Sequence, residues 1–173
     1  MYEKTFPNKR FKHTIEFLEK HVSNTESIID LGVANPFTKI MQEYGYSVEN
    51  TKGEDLDINT STIENSEADV ATAFEIFEHL LSPFTVLKSI KSDKLVASIP
   101  LKLWFSSAYR SKTDMLDRHY HEFEDWQFDW LLEKAGWKII DSKKWTNPTK
   151  IIGIRPILRW FTPRYYIVYA KKV

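Results

Sequence analysis

Short apolar runs alternate with amphipathic stretches along the chain. The run Ser27–Leu31 is apolar and stops at Gly32, as a buried parallel strand does. The dipeptide Asn35-Pro36 supplies an N-cap and a proline at the first helical position, which predicts a helix over Pro36–Tyr44. Strand, turn and helix in this order form the repeating unit of a doubly wound α/β sheet.

The same alternation continues to the end of the chain. Helices are predicted where apolar residues recur with the helical period, and strands where β-branched and aromatic residues lie between turn residues. The further predicted helices are Phe11–His21, Pro83–Lys91 and Glu124–Ala135, and the further predicted strands are Tyr46–Thr51, Asp69–Ala73, Lys94–Ile99, Trp137–Lys144 and Tyr165–Ala170. This pattern predicts a three-layer α/β domain whose mostly parallel sheet is covered on both faces.

Composition narrows the class of protein. The 173 residues fit a single domain spanning 1–173, which begins with a helical segment over 1–26. The chain has no cysteine, so disulfides and thiolate metal sites are excluded, and its 24 basic and 24 acidic residues argue against a general nucleic-acid binder. The first ten residues lack the apolar core of a signal peptide, and no apolar run approaches the length of a membrane span, so we expect a cytoplasmic protein.

The charges are unevenly distributed. Acidic residues dominate between Glu49 and Glu78, and only basic charges follow Asp141. Within the basic part, Lys150–Arg164 also contains several large apolar residues, which makes contact with a membrane surface an alternative. Two prolines interrupt this segment, so a loop that packs its apolar residues onto the domain is the preferred prediction.

Four segments occur in an informative order: SIIDLGVANPF from Ser27, ADVATAFEIFEHLLSPFTVL from Ala68, KLVASIPL from Lys94, and HYHEFEDWQFDWLLEKAGWKII from His119. They resemble the first-strand turn, the fourth strand with its Glu-x-x-Glu-His turn, the fifth strand and the closing segment of class I S-adenosylmethionine-dependent methyltransferases. The terminal YYIVYAKK resembles that family's seventh, antiparallel strand. The resemblance runs from Ser27 to the end of the chain and implies a seven-stranded, Rossmann-like sheet.

The resemblance implies S-adenosylmethionine as cofactor, held at the carboxyl ends of the strands. It assigns cofactor contacts to Asp30, Gly32 and Ala34 in the first turn and to Glu75 after the Asp69–Ala73 strand. Ala34 and Pro36 stand where the family usually has glycines, whose bare backbone can approach a ligand closely.

The acid that binds the ribose hydroxyls in this family follows the second strand. In this chain the candidates are the pair Glu54-Asp55 and the earlier Glu49, and we favour Asp55. A carboxylate in a surface loop is the alternative interpretation for Asp55.

The acceptor side is expected around the Glu-His turn and the loop 101–123, which is long enough to form a lid. His79 is the candidate general base, because an imidazole can take a proton from a hydroxyl at neutral pH, although a histidine bonded to backbone is the alternative. Trp104, Arg110 and His119 are the candidate acceptor-side residues in the loop. The pair His119-x-His121 beside Glu122 could bind zinc, but without further ligands at a typical spacing no metal is predicted.

The sequence therefore predicts methyl transfer to oxygen or nitrogen of a small-molecule acceptor, such as a sugar or a lipid-linked precursor. The alternative is a catalytically silent S-adenosylmethionine-binding or scaffold module with the same fold, which the missing glycines support. A nicotinamide-dependent oxidoreductase is disfavoured, because Gly32 stands alone where a Gly-x-Gly-x-x-Gly turn is needed.

Overall fold

The computed structural model describes residues 8–115, 117–147 and 153–173. Its helices are α1 (Asn8–His21), α2 (Pro36–Glu43), α3 (Ser61–Glu64), α4 (Pro83–Ser89), α5 (Asp125–Lys134) and α6 (Ile154–Phe161), with a 3₁₀ turn at Phe77–His79. Its strands are β1 (Ser27–Asp30), β2 (Ser47–Asn50), β3 (Val70–Phe74), β4 (Lys94–Pro100), β5 (Trp137–Thr146) and β6 (Pro163–Lys172).

The described strands form one six-stranded sheet in the order β2-β1-β3-β4-β6-β5. The pairs among β1 to β4 are parallel, whereas β6 is antiparallel to both β4 and β5. The α/β fold class and the antiparallel last strand are confirmed. The expected seventh strand is absent from the described residues, because the chain between β2 and β3 forms only the short helix α3.

Two apolar cores cover the two faces of the sheet. One core joins strand residues such as Ala71, Leu95 and Ala97 to α4 and α5, and it includes the fully buried Phe128. The other joins Val96 and its neighbours to α1 and α2. Residues that alternate along β4 enter opposite cores, as the two-residue period of a strand requires, so the sheet is the middle layer of three.

The start of α2 follows the sequence prediction. The Asn35 side chain accepts hydrogen bonds from the backbone N–H of Phe37 at 2.8 Å and of Thr38 at 3.4 Å, and the Asn35 N–H donates to Thr38 Oγ1 at 3.2 Å. Pro36 occupies the first turn, where its missing N–H needs no partner. This capping box holds the helix start without the glycines that the family resemblance led us to expect.

The loop predicted over the basic, apolar segment is wrong for its described part. Ile154–Phe161 is a helix, because Pro156 falls in its first turn and Pro163 comes only after its end. The prediction that its apolar residues pack onto the domain is also wrong, since these side chains are exposed: Ile154, Ile157, Trp160 and Phe161. No described helix is both long enough and apolar enough to cross a bilayer.

The difference in burial between α6 and the core can be tested by replacing one phenylalanine in each with alanine. Phe128 is 0% exposed and Phe161 is 81% exposed. We expect Phe128→Ala to lower the free energy of unfolding by about 3–5 kcal/mol because it leaves a cavity. We expect Phe161→Ala to change it by less than about 0.5 kcal/mol. Urea denaturation of both variants measures the difference, and a loss above about 1 kcal/mol for Phe161→Ala would show that α6 packs onto the domain after all.

Candidate functional site

Side-chain hydrogen bonds of Thr51 and Asn50 connect the end of β1 and the following turn to the end of β2. The Gly32 N–H donates to Thr51 Oγ1 at 2.7 Å, and the Asn50 amide donates to the Gly32 carbonyl at 3.1 Å and to Asp30 Oδ2 at 3.0 Å. Gly32 has a φ of +111°, and a Cβ at this position would lie 3.3 Å from Ile76 Cδ1. The turn therefore requires glycine for its backbone angle and for the approach of Ile76.

Asp30 lies inside the sheet rather than on an open surface. Only 2% of the residue is exposed, and its second oxygen accepts a hydrogen bond from Thr72 Oγ1 at 2.6 Å. Burial raises the pKa of Asp30 to about 7, against the opposing effect of the hydrogen bonds from Thr72 and Asn50. Asp30 thus stabilises the turn through buried hydrogen bonds.

The other predicted cofactor residues of this region are exposed. Ala34 directs its methyl group to solvent at the start of α2. Asp55 is also exposed, and its Oδ1 accepts a hydrogen bond from the Asp57 N–H at 3.0 Å. Glu54 accepts one from the Lys52 N–H at 2.7 Å, and Glu49 is exposed on the edge strand β2. These bonds do not distinguish the three candidates for the ribose acid.

Glu75 ends β3 in an unusual conformation. Its φ of +58° makes it the described non-glycine residue with a left-handed backbone. Glu75 Oε1 accepts a hydrogen bond from Ser98 Oγ at 2.9 Å, and Oε2 lies 3.3 Å from Arg10 Nη1 of α1. A left-handed non-glycine residue costs about 1–3 kcal/mol and is concentrated at functional sites. Sequence patterns missed Arg10, because its contact depends on how α1 packs over the strand ends.

Glu78 is the most deeply buried acid of the Glu-His turn. Its side chain is 2% exposed, and its Oε2 has no hydrogen-bond partner among the described residues. Burial and, next, the charge of Glu75 raise the pKa of Glu78 well above its ordinary value. Sequence reasoning did not select Glu78, since a pattern of residues does not reveal which of two neighbouring acids turns inward.

His79 and His119 meet beside Glu78. His79 Nδ1 lies 3.0 Å from the Arg118 carbonyl oxygen, and the two imidazole rings are 4.8 Å apart in an edge-to-face arrangement. Because a carbonyl only accepts, this bond requires the proton on Nδ1 and leaves the Nε2 lone pair of the neutral ring available. Burial and the neighbouring His79 lower the pKa of His119 and so favour its neutral form.

The loop 101–123 is fastened at its ends and at the Glu-His turn. The Lys102 N–H donates to the Phe123 carbonyl at 2.8 Å, and the Glu78 carbonyl accepts from the N–H groups of Tyr120 at 2.8 Å and His121 at 3.2 Å. These backbone bonds bring the sequence-predicted residues His79 and His119 together, although they lie far apart in the sequence.

The described part of this loop lines a pocket of about 470 Å³. Its wall contains the predicted residues Arg110 and His119, together with the cations Lys112 and Arg118. Trp104 does not line this pocket; it is 73% exposed and contacts the ring of Phe105. The pocket is of the size that small-molecule ligands occupy, and its wall is strongly basic.

No protein-family model matches the sequence, and no curated protein is similar to it in sequence. Solved structures are similar in fold. The Burkholderia thailandensis 1,6-didemethyltoxoflavin-N1-methyltransferase, with bound 1,6-didemethyltoxoflavin and S-adenosylhomocysteine, superimposes with a TM-score of 0.65 and 16% identity over 94% of this chain and 78% of that one. This chain has the class I methyltransferase fold.

Two further structures share this methyltransferase fold. A Methanosarcina mazei S-adenosylmethionine-dependent methyltransferase gives a TM-score of 0.66 at 12% identity, over 91% of this chain and 97% of that one. A Mesorhizobium loti S-adenosylmethionine-dependent methyltransferase gives a TM-score of 0.61 at 14% identity, over 91% of this chain and 96% of that one. The fold expected from the four sequence motifs is therefore confirmed.

The buried Asp30 predicts a specific dependence of stability on pH. Its pKa is raised from 3.8 to about 7 on folding, so the folded protein holds a proton that the unfolded chain releases. The contribution of Asp30 to the free energy of unfolding is complete below about pH 4. It is lost as the pH rises to about 7, which lowers the free energy of unfolding by up to about 4 kcal/mol. Asp30→Asn removes this loss, and its amide can still pair with Thr72 and Asn50.

Urea denaturation of both proteins from pH 4 to pH 8 measures the effect. The exposed carboxylate of Asp93 provides the control, and Asp93→Asn should follow the wild-type pH profile. If Asp30→Asn also followed the wild-type profile, the pKa of Asp30 would be the same in the folded and unfolded protein, and the predicted rise on folding would be wrong.

Proposed function

We propose that this protein transfers a methyl group from S-adenosylmethionine to an oxygen or nitrogen atom of a small-molecule acceptor. The observation that carries the proposal is the pairing of two features at one edge of the sheet. The Gly32 turn and Glu75 lie at the ends of the adjacent strands β1 and β3, and the basic pocket lies in the loop that follows β4. The bound S-adenosylhomocysteine of the Burkholderia neighbour, which has the same fold, supports the choice of cofactor.

The chain's own residues suit the charges of this cofactor. S-adenosylmethionine carries a carboxylate, an ammonium group and an electrophilic methyl group on a positively charged sulfur. Glu75 offers a partly exposed carboxylate and Arg10 a guanidinium beside it, with side chains 13% and 20% exposed. We assign Glu75 to the cationic groups of the cofactor and Arg10 to its carboxylate.

The departures from the family's glycine-rich turn are compatible with binding. Ala34 points to solvent, and the Asn35 capping box takes over the geometry at Pro36. Gly32 keeps the positive φ that the turn needs. We retain Asp30, Gly32 and Ala34 as cofactor-side residues, with Asp30 acting through the turn, and Asp55 as the favoured ribose acid.

On the acceptor side, we propose that the loop pocket takes an anionic acceptor, such as a sugar phosphate. Arg110, Lys112 and Arg118 supply the positive charge, and His119 lines the same wall. His79 directs an available Nε2 lone pair away from its bond to Arg118, which suits a general base. Holding donor and acceptor in line, with water excluded, is the main task of such a site.

One observation favours the alternative of a silent module. The Arg10–Glu75 pair and the Gly32–Thr51 bond use groups that the cofactor would contact. If these contacts persist in solution, the chain would keep the fold without binding the cofactor.

Calorimetric titration with S-adenosylmethionine, S-adenosylhomocysteine and NAD separates these functions. We expect the first two to bind and NAD to bind undetectably. Glu75→Gln should weaken S-adenosylmethionine binding by about 10-fold or more, because it removes one charge from a partly buried contact. Glu67→Gln, at an exposed carboxylate paired with Lys91, is the matched control and should bind as the wild type does.

Binding of NAD alone would reject the methyltransferase proposal, and binding of none of the three would support a scaffold module that keeps the fold without binding the cofactor. Unchanged affinity in Glu75→Gln would reject the role of Glu75 while leaving the cofactor assignment intact.

The acceptor pocket is tested with a hexose phosphate and the matching neutral hexose. We expect the phosphate to bind more tightly, and Arg110→Ala with Arg118→Ala to weaken its binding by about 10-fold or more as two charge-assisted contacts are lost. The Arg118 backbone carbonyl, which holds His79, remains in this variant. Lys138→Ala, at an exposed strand residue, is the control; equal binding by the double variant would reject an anionic acceptor in this pocket.

A further inference from the structure

We propose that Glu78, His79 and His119 bind a divalent metal ion, and that zinc matches the set best. One donor atom of each residue lies within 4.8 Å of the others. Donor atoms bound to one zinc ion lie about 3.3 Å apart, as tetrahedral geometry with bonds near 2.0–2.1 Å requires. Side-chain rotations that shift the donors by about 1 Å toward a common centre would complete the set.

The backbone holds these side chains in place before any ion arrives. Glu78 and His79 are neighbours in one 3₁₀ turn, and the Glu78 carbonyl accepts hydrogen bonds from Tyr120 and His121, the two residues after His119. His119 is therefore positioned by the same residue that supplies the carboxylate. Such advance positioning is what a metal site needs if binding is not to depend on folding of the loop.

Each histidine has a partner at its second ring nitrogen, as histidines that bind metal ions usually do. His79 Nδ1 is held by the Arg118 carbonyl at 3.0 Å, and its Nε2 lies 3.6 Å from Glu78 Oε1. His119 Nδ1 lies 3.5 Å from Glu122 Oε1. In metal sites the second ring nitrogen of a ligating histidine usually faces a backbone carbonyl or a carboxylate, which fixes the ring and raises its basicity.

The Glu78 carboxyl group independently indicates a missing ligand. The residue is 1% exposed, and its Oε2 has no hydrogen-bond partner among the described residues. A buried carboxyl group is costly to ionise, and a bound metal ion is one of the partners that compensate its charge. A cation between Glu78 and the two imidazoles would bind this carboxyl group, whose Oε1 faces His79 Nε2 at 3.6 Å.

This set of ligands differs from the possible zinc ligands noted in the sequence, which were His119, His121 and Glu122. His121 Nε2 lies 3.4 Å from the Leu81 carbonyl, and Glu122 Oε1 accepts a hydrogen bond from the Tyr109 N–H at 2.8 Å. Only His119 belongs to both sets. Two imidazoles with one carboxylate suit zinc and leave a coordination position for water or substrate.

The ion would border the acceptor pocket, because His119 also lines that pocket. Its free coordination position would then take an acceptor oxygen and polarise it. With the ion bound, the His79 Nε2 lone pair serves as a ligand rather than as a general base. This catalytic role rests on the proposed methyl transfer, whereas metal binding does not.

Calorimetric titration of the metal-free, cofactor-free full chain with ZnCl₂ tests the site. We expect one tightly bound ion per chain, and at least a 100-fold loss of affinity in each of Glu78→Gln, His79→Gln and His119→Gln. His121→Gln is the matched control and should bind zinc within about 3-fold of the wild type. Cobalt substitution should give the intense visible absorption of a four-coordinate ion in the wild type and in His121→Gln only.

Equal affinity in the His79 and His119 variants, or loss of binding in His121→Gln, would overturn the assignment. A zinc anomalous peak between Glu78, His79 and His119 in crystals of the wild-type chain would support it without any variant, and a peak elsewhere would reject it. Both measurements omit S-adenosylmethionine, so failure of the metal site and failure of the methyltransferase proposal give separate results.

Discussion

The hydrogen bonds of the buried Asp30 carboxyl group join the ends of β1 and β2 to the middle of β3. Asn50 at the end of β2 and Thr72 in β3 both donate to it, and Asn50 also donates to the Gly32 carbonyl. A polar group this deeply buried is tolerated only when it is hydrogen-bonded, so the three strands must keep one relative position here. This hydrogen-bond network therefore fixes the conformation of the Gly32 turn at the candidate cofactor site.

The segment that follows β3 connects the candidate cofactor side to the candidate acceptor side. Glu75 reverses the backbone direction with its positive φ, and its side chain is held between Ser98 and Arg10. The following residues form the 3₁₀ turn that buries Glu78 and presents His79 to the loop. A single short segment thus contains residues that we propose for both the cofactor side and the acceptor side: Glu75, Glu78 and His79.

Features that depend on neighbouring residues could be predicted from the sequence. The Asn35-Pro36 start of α2 needs only a local cap, and the apolar runs of β1, β3 and β4 need only burial on both faces. Helix α6 was not predicted because two prolines disfavour a long helix, but this helix has only 8 residues and Pro156 lies in its first turn, which tolerates proline.

Features that depend on distant parts of the chain could not be predicted in this way. Arg10 reaches Glu75 only because α1 packs across the ends of the strands, and His119 reaches His79 only because the loop is bonded to the Glu78 carbonyl. The sequence motifs selected both histidines for the acceptor side, but periodicity and spacing carry no information on their separation in space. For the same reason Glu78, whose burial decides its chemistry, was passed over in favour of Glu75.

The charges around the candidate site suit the two different ligands that we propose for it. The turns after β2 and β3 lie in the acidic part of the sequence, whereas Arg110, Lys112 and Arg118 line the loop pocket. The cationic donor that we propose would be attracted to the first side and the proposed anionic acceptor to the second, because opposite charges interact over several ångströms at a partly desolvated surface. The Glu78, His79 and His119 cluster contains the buried carboxyl of the acidic side and a histidine of the pocket wall. A cation bound there would add positive charge to the acceptor side and would compensate the negative charge of the buried Glu78 carboxyl group, whose Oε2 has no hydrogen-bond partner among the described residues.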